Sequence, residues 1–239
     1  MASKQTVLYF TSTKSSAIRK YVNELSNAFS KTLVEVDAHE ILSPKKSENM
    51  PLDVLLKEYD PVMIVFEYAT RSRKEIKNIK RFLSAFRELR VPYIGVSGDL
   101  EFVSAPKKII VPVGFLPEEK EKAPWSNSFI KFCNSDVALL KPKDRGTRAQ
   151  RNVEFIKKFI EGQNNRCSLI DGAKNSFKIE FEALNSYAKS FDMIMISASR
   201  AYGLDDVFLG PKEFHVLKKA TLPIMLINPR DDIYVLCGD

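Results

Sequence analysis

The sequence predicts an α/β protein built from two units with mainly parallel sheets, the first of them shortened. Three observations predict this class. Short apolar runs alternate with amphipathic helical patterns along the chain, and this alternation starts again after about residue 106. Residues 61–68 are apolar almost without interruption, as in a strand that helices cover on both faces. Strands that alternate with helices form βα units with right-handed crossovers and a parallel sheet.

Composition supports a packed, globular protein. The chain has 239 residues, of which 44% are hydrophobic and 10% aromatic. No apolar run approaches the roughly 20 residues of a membrane helix, and the first residues lead into a strand pattern rather than a signal peptide, so we expect a cytoplasmic protein. The three cysteines are widely spaced, which indicates neither a disulfide framework nor a thiolate metal site.

The first unit is predicted to contain four strands. They alternate with helices whose apolar residues recur at spacings of three and four. The predicted order is strand 6–10, helix 16–29, strand 33–36, helix 53–58, strand 61–68, helix 71–90 and strand 93–96. Residues 11–16 are rich in serine and threonine but lack glycine, so the pattern favours a helix cap over a phosphate-binding loop.

The second unit is predicted to contain five strands. They are strands 109–113, 137–140, 167–170, 193–196 and 223–227, with helices at 125–133, 177–189 and shortly after Gly210. A further helix opens with Thr147 and Gln150, which have the spacing of a capping box, and its apolar residues include Phe155 and Phe159. Glycine and proline between residues 98 and 106 predict a boundary, which gives domains 1–104 and 105–239.

The two halves match each other in pattern. Residues 61–66 correspond to residues 192–197, and residues 89–94 correspond to residues 220–225. Fewer residues separate the first strands of the two halves than separate the members of these later pairs. The difference is about the length of one helix-plus-strand unit. We therefore interpret the first half as a shortened copy that lacks the equivalent of residues 147–171.

The second half resembles the universal stress protein family. The resemblance rests on Ile110-Val111-Pro112-Val113 in the first strand, on Leu209-Gly210 before the last helix, and on the final strand at 222–227. It implies a five-stranded, parallel, Rossmann-like fold, and the whole chain resembles a tandem form with a degenerate first copy. It further implies that the final strands of the two units pair as an intramolecular pseudo-dimer. The tail at 233–236 is apolar, and we expect it to add a further edge strand.

Nucleotide-binding members of that family carry an acidic residue after the first strand and a motif of the form G-x2-G-x9-G-S/T after the fourth. Here Gly114 stands at the acidic position. Counting back from Gly210, the two earlier glycine positions hold Arg200 and Ser197, and the hydroxyl position holds Pro211. Glycines let backbone amides approach phosphates, so their loss predicts that standard binding of ATP or AMP is lost and that no cofactor is required.

An altered site is the alternative. The carboxyl ends of parallel strands would bring a cluster of polar and basic residues together. The candidate ligand-binding residues are Gly114, Lys141, Ser197, Ser199, Arg200, Gly203 and Gly210, with Lys143 and Arg145 beside them. Gly203 would serve as a glycine of a shorter loop. A solvated loop is the competing interpretation, because charge runs usually lie on surfaces.

Other candidate sites are weaker. Residues 71–90 are basic, but no aromatic residues interleave on their polar face, so a solvated helix is favoured over a nucleic-acid interface. Asp37 and His39 lack a second histidine nearby, and His215 lies beside core-like residues without a serine or cysteine nucleophile, so neither a metal nor a catalytic triad is predicted. We expect a non-catalytic stress-response or signalling protein that acts through unidentified protein partners.

Overall fold

The computed structural model describes residues 5–12, 15–42, 52–87, 89–98, 100, 104–143, 147–199 and 211–229. Backbone contacts group the chain into two compact units. Unit 1 comprises Met1–Ala105 and Gly203–Pro223, and unit 2 comprises Pro106–Tyr202 and Ile224–Asp239. Contacts record which segments pack together, whereas a domain is a segment that folds by itself. The division into domains at residue 104 therefore stays a prediction.

The sheet of unit 1 has four parallel strands among the described residues. They are β1 (Thr6–Thr11), β2 (Thr32–Asp37), β3 (Pro61–Tyr68) and β4 (Tyr93–Ser97), in the spatial order β2-β1-β3-β4. The helices are α1 (Ser16–Ala28), α2 (His39–Leu42), α3 (Leu52–Tyr59), α4 (Arg73–Phe86) and α8 (Lys212–Lys219). Strands and helices alternate as the sequence predicts.

Aromatic residues fill the core of unit 1. Phe66 of β3 lies 4.9 Å from Phe82 and 5.6 Å from Phe86 of α4, measured between ring centroids. These two phenylalanines are buried, which confirms that they belong to the core stripe of α4 rather than to its basic face. Helix α8 also belongs to this core, because the Tyr68 hydroxyl donates a hydrogen bond of 2.9 Å to the carbonyl of Leu217.

The sheet of unit 2 has five parallel strands among the described residues. They are β5 (Lys108–Pro112), β6 (Asp136–Lys141), β7 (Ser168–Asp171), β8 (Met193–Ser197) and β9 (Ile224–Ile227), in the order β9-β8-β5-β6-β7. A 3₁₀ turn at Pro117–Glu121 leads into α5 (Lys122–Cys133). Helix α6 (Thr147–Gly162) precedes β7, and α7 (Ile179–Glu182) continues into a π-helical turn at Ala183–Tyr187.

The sequence interpretation was wrong in detail at two helices of this unit. The helix predicted at 125–133 begins three residues earlier, at Lys122, so Pro124 lies in its first turn. A missing backbone N–H costs nothing there, because the first amides of a helix have no helical partner. On α6, Phe155 and Phe159 are 43% and 36% exposed, while Val153 and Ile156 are buried. The helical period of 3.6 turns these phenylalanines to the flank of the buried stripe.

The two sheets confirm an α/β protein with mainly parallel strands. The strand order β2-β1-β3-β4 of unit 1 corresponds to the order β6-β5-β8-β9 of unit 2. Among the described residues, unit 1 has no equivalent of β7. Duplication with loss of one helix and strand stays a prediction, as does pairing of the final strands. The tail at 233–236 lies outside the described residues. In the described part of the chain, no helix has the length and apolar character needed to cross a membrane.

Candidate functional site

The candidate site lies at the carboxyl edge of the sheet in unit 2. Strand β5 has β6 on one side and β8 on the other, so the chain reverses direction across the sheet between β5 and β8. Ligands of open parallel sheets bind in the crevice outside such a point. Gly114, Lys141, Ser197 and Ser199 all lie at or just beyond these strand ends. Arg200, Gly203, Gly210 and Arg145 fall outside the described residues.

The loop after β5 is closed by an ion pair of the chain itself. The Gly114 N–H donates a hydrogen bond of 2.7 Å to Oε2 of Glu119. The Lys122 ammonium donates to the same oxygen at 2.7 Å and to the carbonyl of Pro112 at 2.7 Å. Both charged side chains are buried, with 0% of Lys122 and 4% of Glu119 exposed. The N–H of Gly114, just beyond the end of β5, is therefore already hydrogen-bonded within the protein.

The Glu119 carboxylate lies beside the side-chain position of Gly114. A Cβ built on Gly114 would lie 3.4 Å from Cδ of Glu119 and 3.5 Å and 3.6 Å from its two oxygens, which are ordinary van der Waals contacts. The negative charge next to this position is thus that of Glu119, and Lys122 neutralises it.

Asn152 of α6 holds the same loop from the opposite side. Its buried amide donates hydrogen bonds of 3.0 Å to the carbonyl of Gly114 and 2.8 Å to that of Leu116. Val113 donates its N–H to the carbonyl of Leu140 at 3.0 Å. Both backbone groups of Gly114 are consequently bound within the protein, which fixes the conformation of the loop.

Lys141 faces away from this loop. Its ammonium lies 2.7 Å from Oδ1 of Asp171, its register partner on β7, which is on the side of β6 opposite to β5. Both side chains are partly or largely exposed, so the pair contributes little to stability. The structure therefore does not bring the Lys141 charge to Gly114.

Ser197 is the polar group that fits a ligand best. Its side chain is 3% exposed, and its Oγ has no hydrogen-bond partner among the described residues. Most buried hydroxyls in proteins are hydrogen-bonded, so such a group needs an explanation. Ser199, two residues further, is partly exposed and has its own interactions within the protein.

The start of α8 lacks the hydroxyl that the family pattern requires. Pro211 is the N-cap residue and offers no side-chain hydrogen bond to the first turn. Proline also has no N–H to donate, so this position contributes no anion-binding group.

The corresponding edge of unit 1 is also occupied by the protein's own groups. Ser15 caps α1 by accepting a hydrogen bond from the N–H of Ile18, which confirms the predicted cap. The Glu67 carboxylate near the end of β3 is fully buried. Its Oε2 accepts hydrogen bonds of 3.3 Å from Tyr9, 3.4 Å from Thr11 and 3.2 Å from the N–H of Ser12.

Sequence reasoning missed Glu67, Glu119 and Lys122. Glu67 is detectable as the single charged residue in the apolar run 61–68. Glu119 and Lys122 have helical i, i+3 spacing, but that spacing is common on exposed helices and carries no sign of burial. Only the fold shows that their loop covers the end of β5.

His215 and Cys133 are of residue types that often act in catalysis, so their surroundings matter. His215 lies on α8 in unit 1, in ring contact with Phe214 at 5.4 Å between centroids. The thiol of Cys133 is buried at the end of α5, and burial raises its pKa to about 11, which disfavours the nucleophilic thiolate. No group of three or more His, Cys, Asp and Glu residues in the described ranges is arranged to hold a metal ion.

Sequence comparison identifies no relative: no protein-family model and no curated protein matches the chain. Solved structures do match. A universal stress protein from Archaeoglobus fulgidus DSM 4304 is similar with a TM-score of 0.61 and 12% identity, over 95% of this chain and 97% of that one.

Two proteins from Pseudomonas aeruginosa are similar with a TM-score of 0.50 and 12% identity. One, from strain UCBPP-PA14, is described as a putative universal stress protein, and 96% of this chain covers 84% of it. The other, from strain PAO1, is described as functionally unknown, and 96% of this chain covers 83% of it. At these identities the similarity concerns the fold, and the chain has the fold of universal stress proteins.

Proposed function

We propose that the protein is a universal stress protein-like, cytoplasmic stress-response or signalling protein that neither catalyses a reaction nor binds ATP in the family's standard way. In this proposal it is a tandem form with a degenerate first copy. The observation that carries the proposal is the closed loop after β5. There, Gly114 donates its amide to Glu119, and Lys122 neutralises that carboxylate.

The closed loop opposes nucleotide binding for an energetic reason. A phosphate or ribose group that took the Gly114 amide would leave the Glu119 carboxylate with a lost hydrogen bond in a buried place. Lys122 would still hold this carboxylate, and a hydrogen bond to a charged group contributes about 1.5–3 kcal/mol. The ligand would have to supply this free energy in addition to its own ordering, without the glycines that bring backbone amides to phosphates.

Action through protein partners is supported by exposed aromatic side chains in unit 2. Phe132 of α5 is 44% exposed, and Phe155 and Phe159 of α6 lie one helical turn apart on the surface. Phenylalanine is enriched at the buried centre of protein interfaces. These residues give the proposed signalling role a surface through which it can act.

Calorimetric titration with ATP, ADP and AMP tests the proposal. We expect that none of the three binds at micromolar concentrations in the crevice after β5 and β8, so Arg200→Ala should leave any measured affinity unchanged. Micromolar binding that the substitution Arg200→Ala abolishes would contradict it, because Arg200 occupies one of the former glycine positions.

A second candidate function is binding of a nucleotide or small anion in an altered pocket of unit 2, with Arg200 and Lys141 supplying charge. The buried Ser197 hydroxyl, which has no partner in the described part of the chain, favours it. The pairing of Lys141 with Asp171 weighs against it. If it is correct, Ser197→Ala weakens binding of one nucleotide in the same titration, and the fold is unchanged by circular dichroism.

A further inference from the structure

An open cleft lies at the outer edge of unit 2, beyond the carboxyl ends of β6 and β7. It has a volume of about 510 Å³ and is lined by Lys143, Ala173, Lys174, Asn175 and Lys178. This volume is within the range of small-molecule sites, which is about 300–1,000 Å³. The cleft is separate from the crevice between β5 and β8, because β6 lies between them.

Backbone hydrogen bonds fix the walls of this cleft. Lys143 donates its N–H to the carbonyl of Lys174 at 2.7 Å, which ties the loop after β6 to the loop after β7. The Glu182 carboxylate accepts hydrogen bonds of 2.7 Å from the N–H of Ala173 and 2.7 Å from that of Lys174. The side chains that line the cleft therefore project from an ordered frame.

Gly172 makes this arrangement of loops possible. A Cβ at this position would lie 2.6 Å from the carbonyl oxygen of Lys141 and 2.8 Å from Cδ1 of Ile179. Only glycine allows such close approach of the backbone. The loop that carries Lys174 and Lys178 is thus held directly against the end of β6.

The positive charge of the cleft is not compensated by the described residues. None of the three lysines that line it has a carboxylate partner among them, whereas their neighbour Lys141 pairs with Asp171. Glu182 is bound to two backbone amides instead. A concave surface lined by charges of one sign concentrates ligands of the opposite sign.

We propose that this cleft binds a small anion that bears phosphate groups. Lysine binds phosphate as a point charge through three donors, and the Asn175 amide adds a further donor without negative charge. The cleft is concave and has the volume of a small-molecule site, so it suits a compact anion better than an extended polyanion such as a nucleic acid. The site requires no adenine-specific contact, so it is independent of the function proposed above.

Titration calorimetry with tripolyphosphate at low ionic strength tests this site. The double variant Lys174→Gln, Lys178→Gln removes two of the three charges and should weaken binding by at least about tenfold. The control is Lys158→Gln on the exposed face of α6, which removes one lysine charge about 16 Å along the helix from Thr147. The control should leave the affinity within about twofold, and circular dichroism should show that all variants are folded.

Three results would overturn the site. They are the absence of tripolyphosphate binding, equal loss of affinity in the Lys158→Gln control, and unchanged affinity in the double variant. A failure here is distinguishable from a failure of the proposed function. Binding in the crevice after β5 and β8 would discriminate ATP from tripolyphosphate and would survive the loss of Lys174 and Lys178. Binding in this cleft would not discriminate between the two compounds, and it would be lost with Lys174 and Lys178.

Discussion

At the scale of single residues, four positions around the end of β5 carry the functional argument. Gly114 donates its amide to Glu119, whose charge is balanced by Lys122. Asn152 takes the remaining carbonyl of Gly114. A buried ion pair is weak evidence of stability by itself, because removing charges from water is costly. Its effect here is to close the loop in one conformation.

Removing one member of this pair should be strongly destabilising. Lys122→Met keeps the length of the side chain but leaves the Glu119 carboxylate buried without its cation, so we expect a loss of about 3–5 kcal/mol in the free energy of unfolding. Urea denaturation measures it. The matched control Lys157→Met breaks an exposed pair with Glu161 and should cost less than about 1 kcal/mol.

The double variant Glu119→Gln, Lys122→Met separates charge from packing. It removes both buried charges together, so it should recover most of the stability that Lys122→Met loses. A double variant as unstable as the single one would show that the lysine acts through its packing and not through the ion pair.

The buried thiol of Cys133 should make stability depend on pH in the alkaline range. Burial raises its pKa from 9.0 to about 11. Between these values the unfolded chain binds fewer protons than the folded one at this site, so stability is complete below pH 9 and falls as pH rises through 11. The loss should reach about 3 kcal/mol.

Urea denaturation at several pH values checks this, with Cys133→Ala as the comparison. Burial also raises the pKa values of Tyr9 and Tyr68, so the wild type and the variant should both lose stability in alkali. The variant should lose less. Parallel curves for the two proteins would rule out a contribution from Cys133.

At the scale of helices and strands, the sequence was sufficient where periodicity alone decides the structure. The predicted strand 61–68 and helix 16–29 match β3 and α1 within about one residue, because continuous burial and a single apolar stripe are strong signals. It was insufficient where two structures share a pattern. Phe155 and Phe159 on α6 look like core residues, and only the packing of the helix shows which flank is exposed.

The contact of α8 with the core of unit 1 gives a test at this scale. A Cβ on Gly95 of β4 would lie 2.6 Å from Cδ2 of Leu217 and 2.8 Å from Cζ of Phe66. Gly95→Ala should therefore cost about 1–3 kcal/mol through overpacking. Gly162→Ala, at the end of α6, meets nothing within 4 Å and should leave the unfolding midpoint unchanged or slightly raised. Equal midpoints for the two variants would contradict the close packing of α8.

At the scale of the whole molecule, the fold class was predictable and the state of the site was only partly so. Alternating strand and helix patterns define a parallel α/β architecture. Arg200 and Ser197 stand where the family motif has glycines, so the sequence alone argues against phosphate binding by this loop. The closing of the loop by Glu119 and Lys122 was not predictable, because it depends on a turn that covers the strand end. The lysine cleft likewise requires the loops after β6 and β7 to meet.

The most direct test of the account follows the amide resonance of Gly114 by heteronuclear NMR during titration with ATP. Because this N–H donates to the Glu119 carboxylate, the account predicts that its chemical shift stays constant, while tripolyphosphate or ATP shifts the side-chain amide resonances of Asn175 in the cleft. A Gly114 shift that saturates at micromolar ATP would contradict the central claim that the chain's own side chains occupy the crevice at the end of β5.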